Sequence, residues 1–152
     1  MKSKHTYDVF VSHASENKIE YVDEFVNELK NVGLSVFYDT DVISWGDNFR
    51  SVIENAIQDC EFAIIVFSKE FIGKEWTEIE LKSFIERQNE EGQKIILPIL
   101  YNISKDEFIE QYPSFKDVLF KHAKSYTKKD LANAAKKELD KRFDLTIHKR
   151  NE

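Results

Sequence analysis

Phe62-Ala63-Ile64-Ile65-Val66-Phe67 is a run without a single polar side chain. A half-exposed strand alternates apolar and polar residues; a strand covered on both faces has no need to. The run has strand length and is rich in β-branched and aromatic residues. It reads as a strand in the middle of a parallel sheet. Downstream, Ser68 to Gly73 ends the run, and Lys74 to Ile85 opens a helix expected to reach about Glu90, before Gly92. Trp76, Glu80 and Phe84 stand at i, i+4 and i+8 and share one stripe, extended by Leu81 and Ile85. Glu75, Glu78, Lys82 and Glu86 fall mostly on the opposite, solvent side. Glu80 is the odd member, a carboxylate where the period asks for an apolar group. Such a charge is costly unless it is partnered or borders a cleft. Two readings follow: a side chain snorkelling at the edge of the core, or a functional carboxylate.

Upstream, Tyr7-Asp8-Val9-Phe10-Val11 reads as a first strand, broken by Ser12-His13-Ala14-Ser15. Ser15 is placed to cap a helix carrying Tyr21, Val22, Phe25, Val26 and Leu29 on one face and ending near Gly33. Leu34 to Tyr38 reads as a second strand, and Asp39 to Gly46 as a loop with an exposed Trp45. Asp47 or Asn48 caps a helix with Phe49, Val52, Ile53, Ala56 and Ile57 at helical spacing. Beyond Gly92, Ile95 to Leu100 reads as a fourth strand, whose Pro98 points to a sheet edge or strand end. Ser104 and Glu107 suggest a capping box for a short helix ending before Pro113. Phe115 to Tyr126 fits either a short fifth strand or an irregular crossing. Thr127 with Asp130 opens a last helix, with Leu131, Ala134, Ala135 and Leu139 on one side.

A chain of 152 residues, 41% hydrophobic and 33% charged, supports one soluble globular domain. The domain is expected over residues 1–143, with 144–152 as tail or linker once periodicity fades. The one cysteine, Cys60, cannot form an internal disulfide, and no Cys/His cluster suggests a metal site. There is no apolar leader, and no apolar run nears the roughly 20 residues of a membrane span. A cytoplasmic protein without membrane attachment is expected. The net charge of -6 argues against nucleic-acid or anionic-membrane binding. The Lys/Arg-rich end from Lys121 to Arg150 reads as a solvated helix face plus a linker.

Alternating strands and helices make an α/β domain with a parallel sheet and helices on both faces. Ligands of such sheets bind beyond the carboxyl ends of the strands, at the switch point. The residues expected there are Ser12 and His13, Asp39 to Trp45, Ser68 and Lys69, and the start of the Glu80 helix. Several occupants of this architecture are excluded. No Gly-x-Gly-x-x-Gly follows the first strand, and the four glycines form no P-loop. The third strand ends in Phe67-Ser68 where a phosphoacceptor receiver needs an aspartate. Neither a hydrolase elbow nor a zinc spacing occurs. Of the four histidines only His13 falls near the expected cleft, as a rim residue before a general base.

Tyr7-Asp8-Val9-Phe10-Val11-Ser12-His13-Ala14-Ser15-Glu16 resembles the opening motif of TIR (Toll and interleukin-receptor) domains. Gly33 to Asp39 resembles their second strand, and Ile43-Ser44-Trp45-Gly46-Asp47 their glycine-containing BB loop. Ala56-Ile57 followed by Phe62 to Ser68 resembles the next helix and strand. Trp76-Thr77-Glu78-Ile79-Glu80-Leu81 resembles the family's Trp-x-x-x-Glu-Leu signature. The pieces are collinear from about Thr6 to Leu100. The resemblance implies a flavodoxin-like fold with a five-stranded parallel sheet.

The resemblance also implies a function. Many bacterial and plant members cleave NAD at the nicotinamide–ribose bond, while many animal members are scaffolds that signal by TIR–TIR contact. In the cleaving members the motif glutamate is essential, and it matches Glu80. Trp76 matches a tryptophan beside the substrate in some bacterial members. Ser12, His13, Ser44, Trp45, Gly46 and Ser68 are the further expected substrate-binding positions. Two departures stand out. His13-Ala14 occupies the place of arginines in one animal member that also cleaves NAD, and Ser44 that of a glutamate in the same enzyme, whose charge it cannot supply. NAD would be a consumed substrate and not a cofactor. Self-association through TIR–TIR contacts is implied as well, as is a role in bacterial antiphage defence or immune signalling. Further domains of a longer chain are compatible with the ending Lys149-Arg150-Asn151-Glu152. The rival expectations are a non-catalytic interaction module and an enzyme related to nucleoside deoxyribosyltransferases.

Overall fold

The computed structural model describes residues 5–38 and 43–151, with side chains through Asp144. The elements are β1 (Tyr7–Ser12), α1 (Asp23–Asn31), β2 (Val36–Phe37), α2 (Phe49–Gln58), β3 (Cys60–Phe67), α3 (Glu75–Glu91), β4 (Ile96–Leu100), α4 (Lys105–Gln111), β5 (Lys121–His122) and α5 (Lys128–Asn151). The sheet has five strands in the order β2-β1-β3-β4-β5, all parallel. This is the flavodoxin-like order. Every residue of β3 is buried, as its unbroken apolar run predicts.

The two-residue period of each strand divides the core into two layers. Phe10, Phe37, Ala63, Ile65, Phe67, Ile96 and Leu100 face α2, α3 and α4 through Ile53, Ile57, Leu81, Phe84 and Phe108. Val9, Val11, Val36, Phe62, Ile64, Val66 and Ile99 face α1 and α5 through Phe25, Val26, Leu29, Leu131, Ala135 and Leu139. Asn48 caps α2 by accepting from Ser51 N–H at 3.1 Å, and Ser104 caps α4 by accepting from Glu107 N–H at 3.1 Å. Thr127 does the same for Asp130 N–H at 3.0 Å, at the start of α5.

Several expectations are corrected. Ser15 is not a cap; its hydroxyl bonds Glu16, and the chain enters α1 through a 3₁₀ turn and a single π turn over Lys18–Val22. Of the expected second strand only Val36 and Phe37 pair with β1. Pro98 lies in β4, which is interior in the sheet order, because β5 reaches only Ile99 and Leu100 and leaves that flank of Pro98 without a ladder. The irregular crossing and the fifth strand both occur, since β5 is two residues inside the ambiguous stretch. The last helix does not stop at the expected boundary. Phe143 still packs on the core, and the helical backbone continues to Asn151. Residues 39–42 of the expected loop lie outside the described residues.

Candidate active site

Ser12 is the last residue of β1, and it continues the period of Phe10 toward the α2/α3 layer. Its side chain therefore meets α3. Glu80 comes from the buried stripe of α3, beside Thr77, Leu81 and Phe84. The Ser12 hydroxyl donates to Glu80 Oε1 at 2.7 Å, with Ser12 1% and Glu80 6% exposed. β1 and β3 are the neighbours from which connections leave in opposite directions, so the pair sits at the topological switch point. Glu80 is thus neither at the rim of the core nor snorkelling. It is a buried carboxylate held by a hydroxyl, with Trp76 one turn earlier. Trp76 is half-buried, meets the Phe49 ring edge-on at 5.5 Å, and carries the Arg50 guanidinium over its ring at 5.4 Å.

His13, next in sequence to Ser12, turns to the other layer. Its ring lies 5.1 Å from that of Tyr38, and its Nδ1 is 3.4 Å from Val11 O. Beside it, Lys18 pairs with Asp23 at 2.8 Å and Tyr38 donates to the same carboxylate at 2.6 Å. The hydrogen bond from Lys18, then that from Tyr38, holds the Asp23 carboxyl below its usual range. On the other side of β1, Lys74 pairs with Glu16 and joins the loop after β1 to the start of α3.

Ser68 is committed elsewhere. Its hydroxyl donates to Asn17 Oδ1 at 2.6 Å and accepts from Phe71 N–H at 3.1 Å. Asn17 in turn donates to Glu70 at 2.7 Å, and Asn102 donates to Glu70 at 2.9 Å. Three loops at the carboxyl end of the sheet are tied together this way. Asn17 is fully buried, yet nothing in its sequence neighbourhood sets it apart. Ser44, Trp45 and Gly46 form a tight turn closed by Asp47, whose N–H reaches Ser44 O at 3.0 Å and whose carboxylate accepts from Ser44 N–H at 2.8 Å. Gly46 takes a φ of +96°, which its missing Cβ permits. Trp45 is fully exposed at the tip.

The structure therefore joins Ser12 and Glu80 directly, with Trp76 adjacent, while His13, Ser68 and the 44–46 turn have other partners. Two cavities, of about 600 Å³ beside Tyr21, Glu24 and Lys128 and about 420 Å³ beside Tyr101, Asn102 and His122, are not lined by Glu80. Among the described residues no cluster could hold a metal ion, and no helix is long and apolar enough to cross a membrane.

A family model of the TIR domain matches residues 9–142. The chain belongs to the TIR family. It is 36% identical over 130 residues to a 2′ cyclic ADP-D-ribose synthase, BtTIR, of Bacteroides thetaiotaomicron, covering 86% of this chain and 45% of that one. It is 40% identical over 107 residues to the NAD(+) hydrolase TcpA of Theionarchaea archaeon, covering 70% and 32%. It is 34% identical over 126 residues to the NAD(+) hydrolase TcpC of Escherichia coli, covering 83% and 41%. The chain spans less than half the length of these relatives. Among solved structures, the TIR domain of the Toll-related receptor TRR-2 from Hydra magnipapillata superposes with a TM-score of 0.66 at 20% identity, covering 90% of this chain and 97% of that one. The TIR domains of the activated Roq1 resistosome superpose at 0.67 and 20%, covering 90% and 99%. At that identity the likeness is one of fold.

Proposed function

We propose that this TIR domain cleaves NAD at the nicotinamide–ribose bond, with Glu80 as the catalytic carboxylate. The observation that carries the reading is the buried Glu80 bonded to Ser12 at the switch point. The names of the bacterial and archaeal relatives point the same way. Nicotinamide in NAD is cationic and departs neutral, so its release needs no proton. The ribose C1′ gains oxocarbenium character, as in glycoside cleavage. A fixed anion stabilises that charge electrostatically or by covalent attack. Ser12 orients the anion, and Trp76 borders the space one turn away. Water completes hydrolysis to ADP-ribose; a hydroxyl of the ADP-ribose itself gives a cyclic product. NAD is consumed and no redox step occurs. Because Glu80 is 6% exposed, this reading requires the side chains that cover it to move aside before substrate reaches it. Self-association through the Trp45 turn, a cytoplasmic place and a role in immune signalling or antiphage defence belong to the same proposal.

The test is nicotinamide release by the concentrated protein, beside Glu80→Gln, with thermal unfolding of both. The substitution keeps the volume and the contact with Ser12 while removing the charge. Cleavage falls by a factor on the order of 100 or more, the scale of one lost transition-state stabiliser. The melting temperature changes little. Undiminished cleavage by well-folded Glu80→Gln would sink the mechanism.

A further inference from the structure

We infer that Arg50 holds the diphosphate of the dinucleotide at the mouth of the site, an assignment that rests on the NAD reading above. NAD carries its two phosphate charges beside the ribose whose C1′ bond breaks. This chain has a formal charge of -6, and Glu80 adds a carboxylate in the site itself. A diphosphate arriving there is repelled unless a cation meets it. Lys18 is spent on Asp23, and Lys74 on Glu16. Arg50 makes no hydrogen bond or ion pair among the described residues; its guanidinium lies over the Trp76 ring, 5.4 Å from its centre.

That posture suits the role. The indole restrains the plane of the guanidinium, so less freedom is lost when a ligand binds. The fork of N–H donors stays open to solvent and matches phosphate oxygens in pairs. Trp76 and Glu80 stand four residues apart on one face of α3, about 6 Å of rise, so the guanidinium over the Trp76 ring sits on the side of the helix that carries the carboxylate.

The test compares wild type, Arg50→Lys and Arg50→Gln at high protein concentration. It measures NAD turnover, inhibition by ADP-ribose, which keeps the diphosphate, and inhibition by nicotinamide, which lacks it. Arg50→Gln raises KM for NAD and the inhibition constant of ADP-ribose together by about tenfold or more, the range for a charged hydrogen bond, and leaves nicotinamide inhibition and kcat near wild type. Arg50→Lys falls between. The melting temperature stays close to wild type, since the side chain is exposed. An unchanged KM, a loss confined to kcat, or an equal shift for nicotinamide overturns the assignment while leaving NAD cleavage standing. No nicotinamide release by wild type sinks the NAD reading, and this one with it.

Discussion

Ser12 and Glu80 form a pair in which each residue explains the other. A carboxylate on the buried stripe of a helix needs a donor, and a serine at the end of a buried strand needs an acceptor. The 2.7 Å contact satisfies both. Ser12→Ala removes the donor and leaves the carboxylate oxygen short of a bond, at a cost of about 1–3 kcal/mol in stability. If Ser12 acts only through Glu80, the variant loses kcat with KM little changed; a rise in KM instead marks direct contact with the substrate. Steady-state kinetics and denaturant unfolding on the same sample separate the two. Glu80 was legible because it breaks the period of its helix. Ser12 was legible only as a position near the right strand end; its partner followed from the side to which β1 alternates. Asn17 and Arg50 gave no such signal, since a buried asparagine and a surface arginine look ordinary until their neighbours are known.

At the scale of elements, the strands and helices were read from periodicity because each of the two layers needs its own apolar face. What escaped was decided by pairing across the sheet. Nothing in Lys121-His122 marks a strand until Ile99 and Leu100 lie beside it. Arg87 is a case where the period held the answer. Seven residues after Glu80, it shares that stripe, and it is buried, donating to Ile57 O at 2.9 Å and Cys60 O at 2.6 Å. It closes the amino end of the sheet as Ser12 and Glu80 organise the carboxyl end. There too α5 docks through Arg142, which meets the Glu61 carboxylate at 3.2 Å while His5 meets it at 2.7 Å. Burial alone would raise the Glu61 carboxyl, but the bonds from His5 and Arg142 bring it below its ordinary value of 4.5. A carboxyl lowered by folding contributes stability above its unfolded pKa and loses it as pH falls through the folded one. Glu61→Gln is therefore expected to cost about 1.5–3 kcal/mol at pH 7. The gap from wild type narrows as pH drops below 4.5. Urea unfolding of the two proteins at pH 7 and in acid checks both statements; a gap that widens in acid contradicts them.

For the whole molecule, the Trp45 turn is the feature that looks outward. Trp45 is fully exposed, and Phe49, a few residues on, is 55% exposed. Exposed aromatics of this kind serve as interface anchors, but two of them bury too little for a tight complex. The expected association is weak and mass-action driven. Nicotinamide release per molecule should rise with protein concentration in wild type and rise far less in Trp45→Ala, with light scattering reporting the same order. Specific activity that stays flat over about a hundredfold dilution in both proteins contradicts assembly through this turn. The short outer strands bear on how such crowding ends. Among the described residues β2 and β5 offer only two paired positions each, and β5 is a lysine and a histidine. Margins so brief give an incoming strand almost no ladder to copy. Copies that associate are therefore expected to meet through side chains and to separate on dilution, where a longer bare margin would invite fibres.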